Sequence, residues 1–250
     1  MTAPIVGDLG ESSNRALPSL GEDEVHVWIV DIAANGNVPD TGVLAPAERA
    51  RASQFRWDFH RDSFMRRRIA LRMILGGYLG VSPHDVAFIV NEFGKPSVVP
   101  RQGRRGLSFN TSHSETIAAI AVARSGRIGI DVEHVKPLAE ADSVAERFFA
   151  DGERAALATL APRDRVDGFF NAWTRKEAVV KALGGGLSIP LNSFEVSLLP
   201  GVPPTILRWD IPGEVGARWR IHHIEPALSY IGALVLDRKA SVCQCRSWPG

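Results

Sequence analysis

An α+β fold is predicted by three observations. Arg165 to Leu183 carries Phe169, Phe170, Trp173, Ala178, Val179 and Ala182 on one broad side, the pattern of a long amphipathic helix. Ile128, Ile130 and Val132 alternate with Gly129, Asp131 and Glu133, the period of a β-strand. The same broad order, helices and then antiparallel strands, recurs in each half of the chain, although no close sequence repeat is visible.

Residues 1–22 are rich in Gly, Ser, Pro and acids and read as a loose arm. Val25 to Ile32 is a first strand, and Leu44 to Tyr78 is helical, with Pro46 placed for a first helical turn. Val86 to Asn91 and Leu107 to Asn110 are strands, the latter meeting Thr111-Ser112-His113-Ser114 after a basic loop at Arg101 to Gly106. Thr116 to Ala123 is small and apolar. Ser125-Gly126 turns it into the strand from Ile128, so these two are expected to pair as a hairpin. Ser143 to Leu160 is helical with a break at Asp151-Gly152, where Asp151 is the expected cap. Gly184 to Gly186 stop the long helix. Phe194–Leu198, Thr205–Trp209, Arg218–Ile224 and Tyr230–Leu236 then read as strands.

The chain has 250 residues, 45% hydrophobic and 23% charged, with net charge +1, enough for one large domain or two small ones. Such a balance argues against wholesale nucleic-acid binding. Met1 to Leu20 has neither a basic n-region nor an apolar h-region, so no secretory signal is expected. No run approaches the roughly 20 apolar residues of a membrane span. The two cysteines, Cys243 and Cys245, fall in the last eight residues and read as part of a tail (241–250) of a soluble protein of a reducing compartment.

Chemistry gathers at few places. Asp131 and Glu133 project from one strand face, where two like charges repel unless a hard cation lies between them; an ordinary solvated strand face is the alternative. Glu177 and Lys181, four residues apart, share a helix face below Trp173. A surface Glu–Lys pair is the plain reading. If Glu177 packs near Asp131 and Glu133, three carboxylates could serve one Mg²⁺, and the implied chemistry is phosphoryl transfer. Arg49 to Arg72 contains eight arginines against Asp58 and Asp62, a solvated helix face or, as a group, an attractor for a phosphate-rich ligand. Ser112-His113 is placed to grip a ligand, while His222-His223 and the triple glycine have ordinary structural explanations. A metal-dependent nuclease fits the acidic residues, but leaves Ser112-His113 idle and lacks an extended basic surface.

Taken in order, Phe-Asn-Thr-Ser-His-Ser (109–114), Gly-Ile-Asp-Val-Glu (129–133), Arg-Phe-Phe (147–149) and Trp-Thr-Arg-Lys-Glu-Ala-Val-Val-Lys (173–181) resemble the 4'-phosphopantetheinyl transferases. Phe93-Gly94-Lys95-Pro96 and Gly185-Gly186-Leu187-Ser188-Ile189-Pro190 look like further family segments. The length favours the Sfp-like type over the shorter trimeric synthases.

The resemblance implies a cytoplasmic monomer of two pseudo-symmetric α+β halves, here 23–115 and 116–240, each a small antiparallel sheet packed with helices. It implies that coenzyme A lies between them and that apo acyl or peptidyl carrier proteins are the partners, with no nucleic acid or membrane involved. By that resemblance Asp131, Glu133 and Glu177 hold Mg²⁺ (Mn²⁺ as an alternative). Lys181 approaches the phosphates, and Glu177 acts as base. Arg51, Lys95, Ser112 and His113 contact coenzyme A, His113 near the 3'-phosphate and Lys95 at the adenine or phosphate region. The sequence departs from the family pattern in three places. Val132 between the two acids cannot ligate, Ala150 replaces a serine that often follows Arg-Phe-Phe, and Glu48 stands where some relatives are basic. An inactive coenzyme A or carrier-protein binding module is the remaining alternative, although all three carboxylates and Lys181 are present.

Overall fold

The computed structural model describes residues 5–6, 17–33, 38, 40–100, 106–237 and 242–248. Most of the 1–22 arm and of the basic loop at 101–106 lies outside them. In chain order the elements are β1 (Ile5–Val6), β2 (Glu24–Asp31), α1 (Pro46–Ala52), α2 (Asp58–Leu79), β3 (Phe88–Val90), β4 (Pro96–Val98), β5 (Ser108–Ser114), β6 (Ile117–Ala123) and β7 (Ile128–His134). They continue with α3 (Ala141–Phe148), α4 (Asp151–Ala158), α5 (Pro162–Leu183), β8 (Phe194–Val196), β9 (Ile206–Trp209), β10 (Arg220–Glu225), β11 (Tyr230–Leu236) and β12 (Val242–Ser247).

Each half follows one plan. A strand leads into helices, the last of them 22 residues long; a two-stranded hairpin follows, then two antiparallel strands, the second of which pairs with the opening strand. In the first half these are β2, α2, β3–β4, β5 and β6; in the second β7, α5, β8–β9, β10 and β11. Both long helices end at a left-handed glycine, Gly80 and Gly184, which satisfies their last carbonyls without a Cβ penalty. The four-stranded sheets have orders β12-β2-β6-β5 and β1-β10-β11-β7.

The sheets stack face to face. Val25, Val27, Ile29, Ala119 and Ala121 of one meet Ile128, Ile130, Val132 and Leu234 of the other in a common core. The opposite face of the first sheet, Trp28, Val30, Ile120 and Val122, packs on Ala70, Leu71, Ile74 and Leu75 of α2. The second sheet packs Ala233 and Val235 on Ala178, Val179 and Ala182 of α5. The result is four layers: helix, sheet, sheet, helix.

The structure differs from five sequence expectations. β6 and β7 do not pair as a hairpin. Both edges of β6 are already taken by β2 and β5, so the turn at Ser125-Gly126 carries the chain from one sheet to the other. The boundary drawn at 115/116 therefore moves beyond Ala123, since β5 and β6 are hydrogen-bonded neighbours. The stretch read as a tail contains β12, which joins β2 in parallel, and the arm read as loose contains β1, which joins β10. Asp151 does not cap α4. Ala150 is the N-cap, and the Glu153 carboxylate accepts its backbone N–H at 2.9 Å.

Candidate active site

The second half departs from its plan where β7 meets α5. Its helix-facing residues are Gly129, Asp131 and Glu133 in place of apolar side chains. Gly129 is required here because a Cβ would lie 2.0 Å from the Ala178 carbonyl oxygen and 2.4 Å from the Ala182 nitrogen. That close approach brings the open face of α5, Trp173, Glu177 and Lys181, over the strand's two acids. The Lys181 ammonium donates to Asp131 Oδ1 at 2.5 Å and to Ser112 Oγ at 3.1 Å. Ser112 Oγ in turn donates to the same Asp131 oxygen at 2.8 Å.

Asp131 is 3% exposed, and its second oxygen, Oδ2, is buried without a hydrogen-bond partner among the described residues. Burial pushes its carboxyl above the ordinary range, while Lys181 and Ser112 oppose the shift. Glu133 Oε2 accepts from Ser114 Oγ at 2.7 Å, and the Trp173 indole also donates to this side chain. Among the described residues Glu177 has no hydrogen-bond partner. Burial raises its carboxyl first, and the charges of Asp131 and Glu133 raise it further. Three acids therefore face one another with one lysine among them.

The seam between β5 and β7 is built by side chains and not by a ladder. Asn110 Oδ1 accepts from the Ile130 N–H at 2.8 Å, and Ser114 Oγ accepts from the His134 N–H at 3.1 Å. Asn110, Ser112 and Ser114 alternate along β5, so one edge of the first half grips the acidic strand of the second. Asn110 and Ser114 were missed by sequence reasoning, although a polar residue at every second position was the available signal. His113 points the other way and is exposed. Its imidazole is pushed down to about 4, first by the protein packed around it and then by the Arg67 and Lys181 charges.

The remaining expected residues are dispersed. Arg51 is exposed on α1, bonded to Gln54 Oε1 at 3.0 Å and lying over Phe55. Of the arginine cluster, Arg68 and Arg72 pair with Glu48, and Arg72 also donates to the carbonyls of Pro83, His84 and Val86; only Arg67 acts on His113. Glu48, an unexplained departure in the sequence, is thus a satisfied structural acid that also accepts the Ala45 N–H. Lys95 is engaged by backbone groups of the second half. Its ammonium donates to the carbonyls of Ile128, Lys181 and Ala182.

Hard oxygen donors and, among the described residues, an unpartnered buried Asp131 Oδ2 and a Glu177 without hydrogen bonds fit a divalent cation of the Mg²⁺ type. Among the described residues no three His, Cys, Asp or Glu side chains form a ready-made metal cage. Mg²⁺ commonly takes one or two carboxylates and completes its shell with water and substrate phosphate, so the donor set suits an ion that arrives with a phosphate ligand.

The model of the 4'-phosphopantetheinyl transferase superfamily matches residues 127–237, from β7 through β11. The 4'-phosphopantetheinyl transferase HetI of Nostoc sp. is 40% identical over 187 residues, which cover 74% of this chain and 78% of that protein. The 4'-phosphopantetheinyl transferase Sfp of Bacillus subtilis is 30% identical over 158 residues, covering 62% of this chain and 66% of its own. The solved holo-[acyl-carrier-protein] synthase of Thermotoga maritima aligns with 45% of this chain and 63% of its own at 23% identity and a TM-score of 0.35, too partial a likeness to carry an argument.

Proposed function

We propose a reaction for this chain, which belongs to the 4'-phosphopantetheinyl transferase superfamily and is an enzyme of that class. The 4'-phosphopantetheine group of coenzyme A is transferred to a serine of an apo carrier protein. The serine oxygen attacks the β-phosphorus, a new P–O bond forms, the pyrophosphate P–O bond breaks, and 3',5'-adenosine bisphosphate leaves. The observation that carries this reading is the convergence of Asp131, Glu133, Glu177 and Lys181 beside the seam between the two halves, where Ser112 of β5 meets them.

In this reading Asp131, Glu133 and Glu177 would hold Mg²⁺, which when bound would supply charge neutralisation at the pyrophosphate. Lys181 supplies a fixed positive charge near the leaving oxygen. Glu177 receives the proton of the incoming serine, directly or through water. Ser112 holds both Asp131 and Lys181 in place at the nucleotide end. His113 meets the 3'-phosphate, with Arg67 beside it. Arg51 is the outermost basic contact. The attacking serine belongs to the partner, so no Ser-His-Asp arrangement is needed within this chain.

One chain supplies both sides of the seam, so the enzyme acts as a monomer. No helix among the described residues is long and apolar enough to cross a membrane, and we place the reaction in the cytoplasm. Intact mass of an apo carrier protein after incubation with the chain, coenzyme A and Mg²⁺ tests the proposal beside an EDTA control. The expected result is a Mg²⁺-dependent gain of one phosphopantetheine group. No gain across acyl and peptidyl carrier types, with coenzyme A bound, would reduce the chain to an inactive binding module.

A further inference from the structure

The hairpin β3–β4 of the first half reaches across to the end of α5. Its turn is closed by Asn91, whose Oδ1 accepts from the backbone N–H groups of Phe93 and Lys95 at 3.1 and 2.8 Å, and whose Nδ2 donates to the Gly184 carbonyl at 2.8 Å. Lys95 then extends under Gly184. A Cβ there would come within 3.2 Å of Lys95 Cδ, so the glycine serves the passage of this side chain as well as its own positive φ.

An ammonium has three hydrogens, and Lys95 finds three carbonyl acceptors: Ile128 at 3.0 Å, Lys181 at 2.6 Å and Ala182 at 3.1 Å. The last two belong to the final turn of α5, whose carbonyls have no partner within the helix and carry the negative end of its dipole. Ile128 opens β7, three residues before Asp131. One cation from the first half thus ties together the two elements that carry the catalytic groups of the second. It does so at the backbone of Lys181 itself.

We infer that Lys95 is a positioning residue for transfer: it fixes the end of α5 against the start of β7 and so sets the spacing of Lys181 from Asp131, instead of binding coenzyme A. The inference rests on the proposed function for its kinetic consequence but not for the clamp itself. Burial, helped by Arg127 and opposed by Asp237, brings the Lys95 amine down to about 8, consistent with an ammonium enclosed among backbone groups.

Two readouts on the full chain test it. Hydrogen exchange needs no activity: in Lys95→Met the amides of residues 181–184 should exchange at least about tenfold faster, with the first turns of α5 unchanged. In steady-state transfer to an apo carrier protein, kcat should fall about 10- to 100-fold, with KM and the calorimetric Kd for coenzyme A held within about twofold. Lys95→Arg should restore most of kcat. Should Lys95→Met fail to fold, Asn91→Ala loosens the same turn and should show both effects in weaker form. Unchanged exchange at 181–184 would overturn the clamp. A parallel rise in KM and Kd with kcat restored at saturation would make Lys95 a ligand contact. An inactive wild-type chain would instead count against the proposed function, and the exchange data would still decide on Lys95.

Discussion

The two 22-residue helices, α2 and α5, sit on equivalent strands, and what lies between helix and strand differs completely. Under α2, the strand β2 presents Trp28 and Val30 to Leu71, Ile74 and Leu75, an apolar core with a buried His26–Tyr78 hydrogen bond of 2.6 Å at one end. Under α5, the strand β7 presents Gly129, Asp131 and Glu133 to Glu177 and Lys181. The scaffold around both is the same to a surprising depth. Glu48, in the first turn of α1, accepts the Ala45 N–H and pairs with Arg72 of α2 at 2.5 Å. Glu153, in the first turn of α4, accepts the Ala150 N–H and pairs with Lys176 of α5 at 2.8 Å. One half shows what the unit needs to fold; the other shows which part was exchanged for chemistry.

The largest predicted effect breaks the polar half alone. Asp131→Ala or Glu177→Ala should lower transfer at least about a thousandfold, by removal of preorganised charge at the reacting phosphate. The far-UV circular dichroism should stay native, because neither side chain belongs to the apolar layers. Near-normal turnover in either variant would dismiss the three-carboxylate site.

The shared scaffold predicts a graded pair. Glu153→Ala removes the counter-ion of Lys176, which is fully buried over Phe194 and keeps the Leu191 and Phe194 carbonyls, and it also takes the acceptor from the buried Val196 N–H, so it should cost about 3–5 kcal/mol in denaturant unfolding. Glu48→Ala leaves Arg72 its three carbonyl acceptors and should cost less, about 1–3 kcal/mol. The reverse order would mean that the two ion pairs are not equivalent in role.

A smaller effect concerns pH. The folded proton affinity of His113 lies below its unfolded value, so the residue is already neutral in the folded chain above about 4. His113→Gln should therefore leave the shape of the transfer profile between about pH 5 and 8 unaltered, whatever it does to KM. A limb near pH 6 present in the wild type and missing in the variant would contradict this.

The polar half was the more legible in sequence. Alternation in β7 and the helical spacing of Trp173, Glu177 and Lys181 identify residues that the structure brings together, because side-chain period reports facing directly. The order of elements in each half was legible for the same reason. Strand partnership was not. Ile117 to Ala123 is apolar on both faces, and nothing in that pattern distinguishes a hairpin with β7 from a crossing between two sheets. β12 and β1 escaped because a strand added at a sheet edge needs backbone groups more than a distinctive side-chain pattern. Lys95 escaped because its acceptors are carbonyls, which every residue carries. The twin acids Glu48 and Glu153 follow the expected helix starts at Pro46 and Asp151, yet their cations lie 24 and 23 residues further on, beyond any local spacing rule.

The central claim is that β7 and α5 hold their carboxylates together at a cost in stability, for a cation. Because burial and mutual repulsion raise the folded pKa of Glu177 above its unfolded value, ionisation costs stability. The cost begins as pH rises past the unfolded value and is complete above the folded one. The most direct test is the thermal midpoint of wild type and Glu177→Gln with and without Mg²⁺ and coenzyme A. At neutral pH without ligands the variant should unfold about 2–4 °C higher, with the gap closing below about pH 4, and Mg²⁺ with coenzyme A should raise the wild type by more than the variant. A variant that is less stable than wild type without ligands, and equally stabilised by them, would contradict the account.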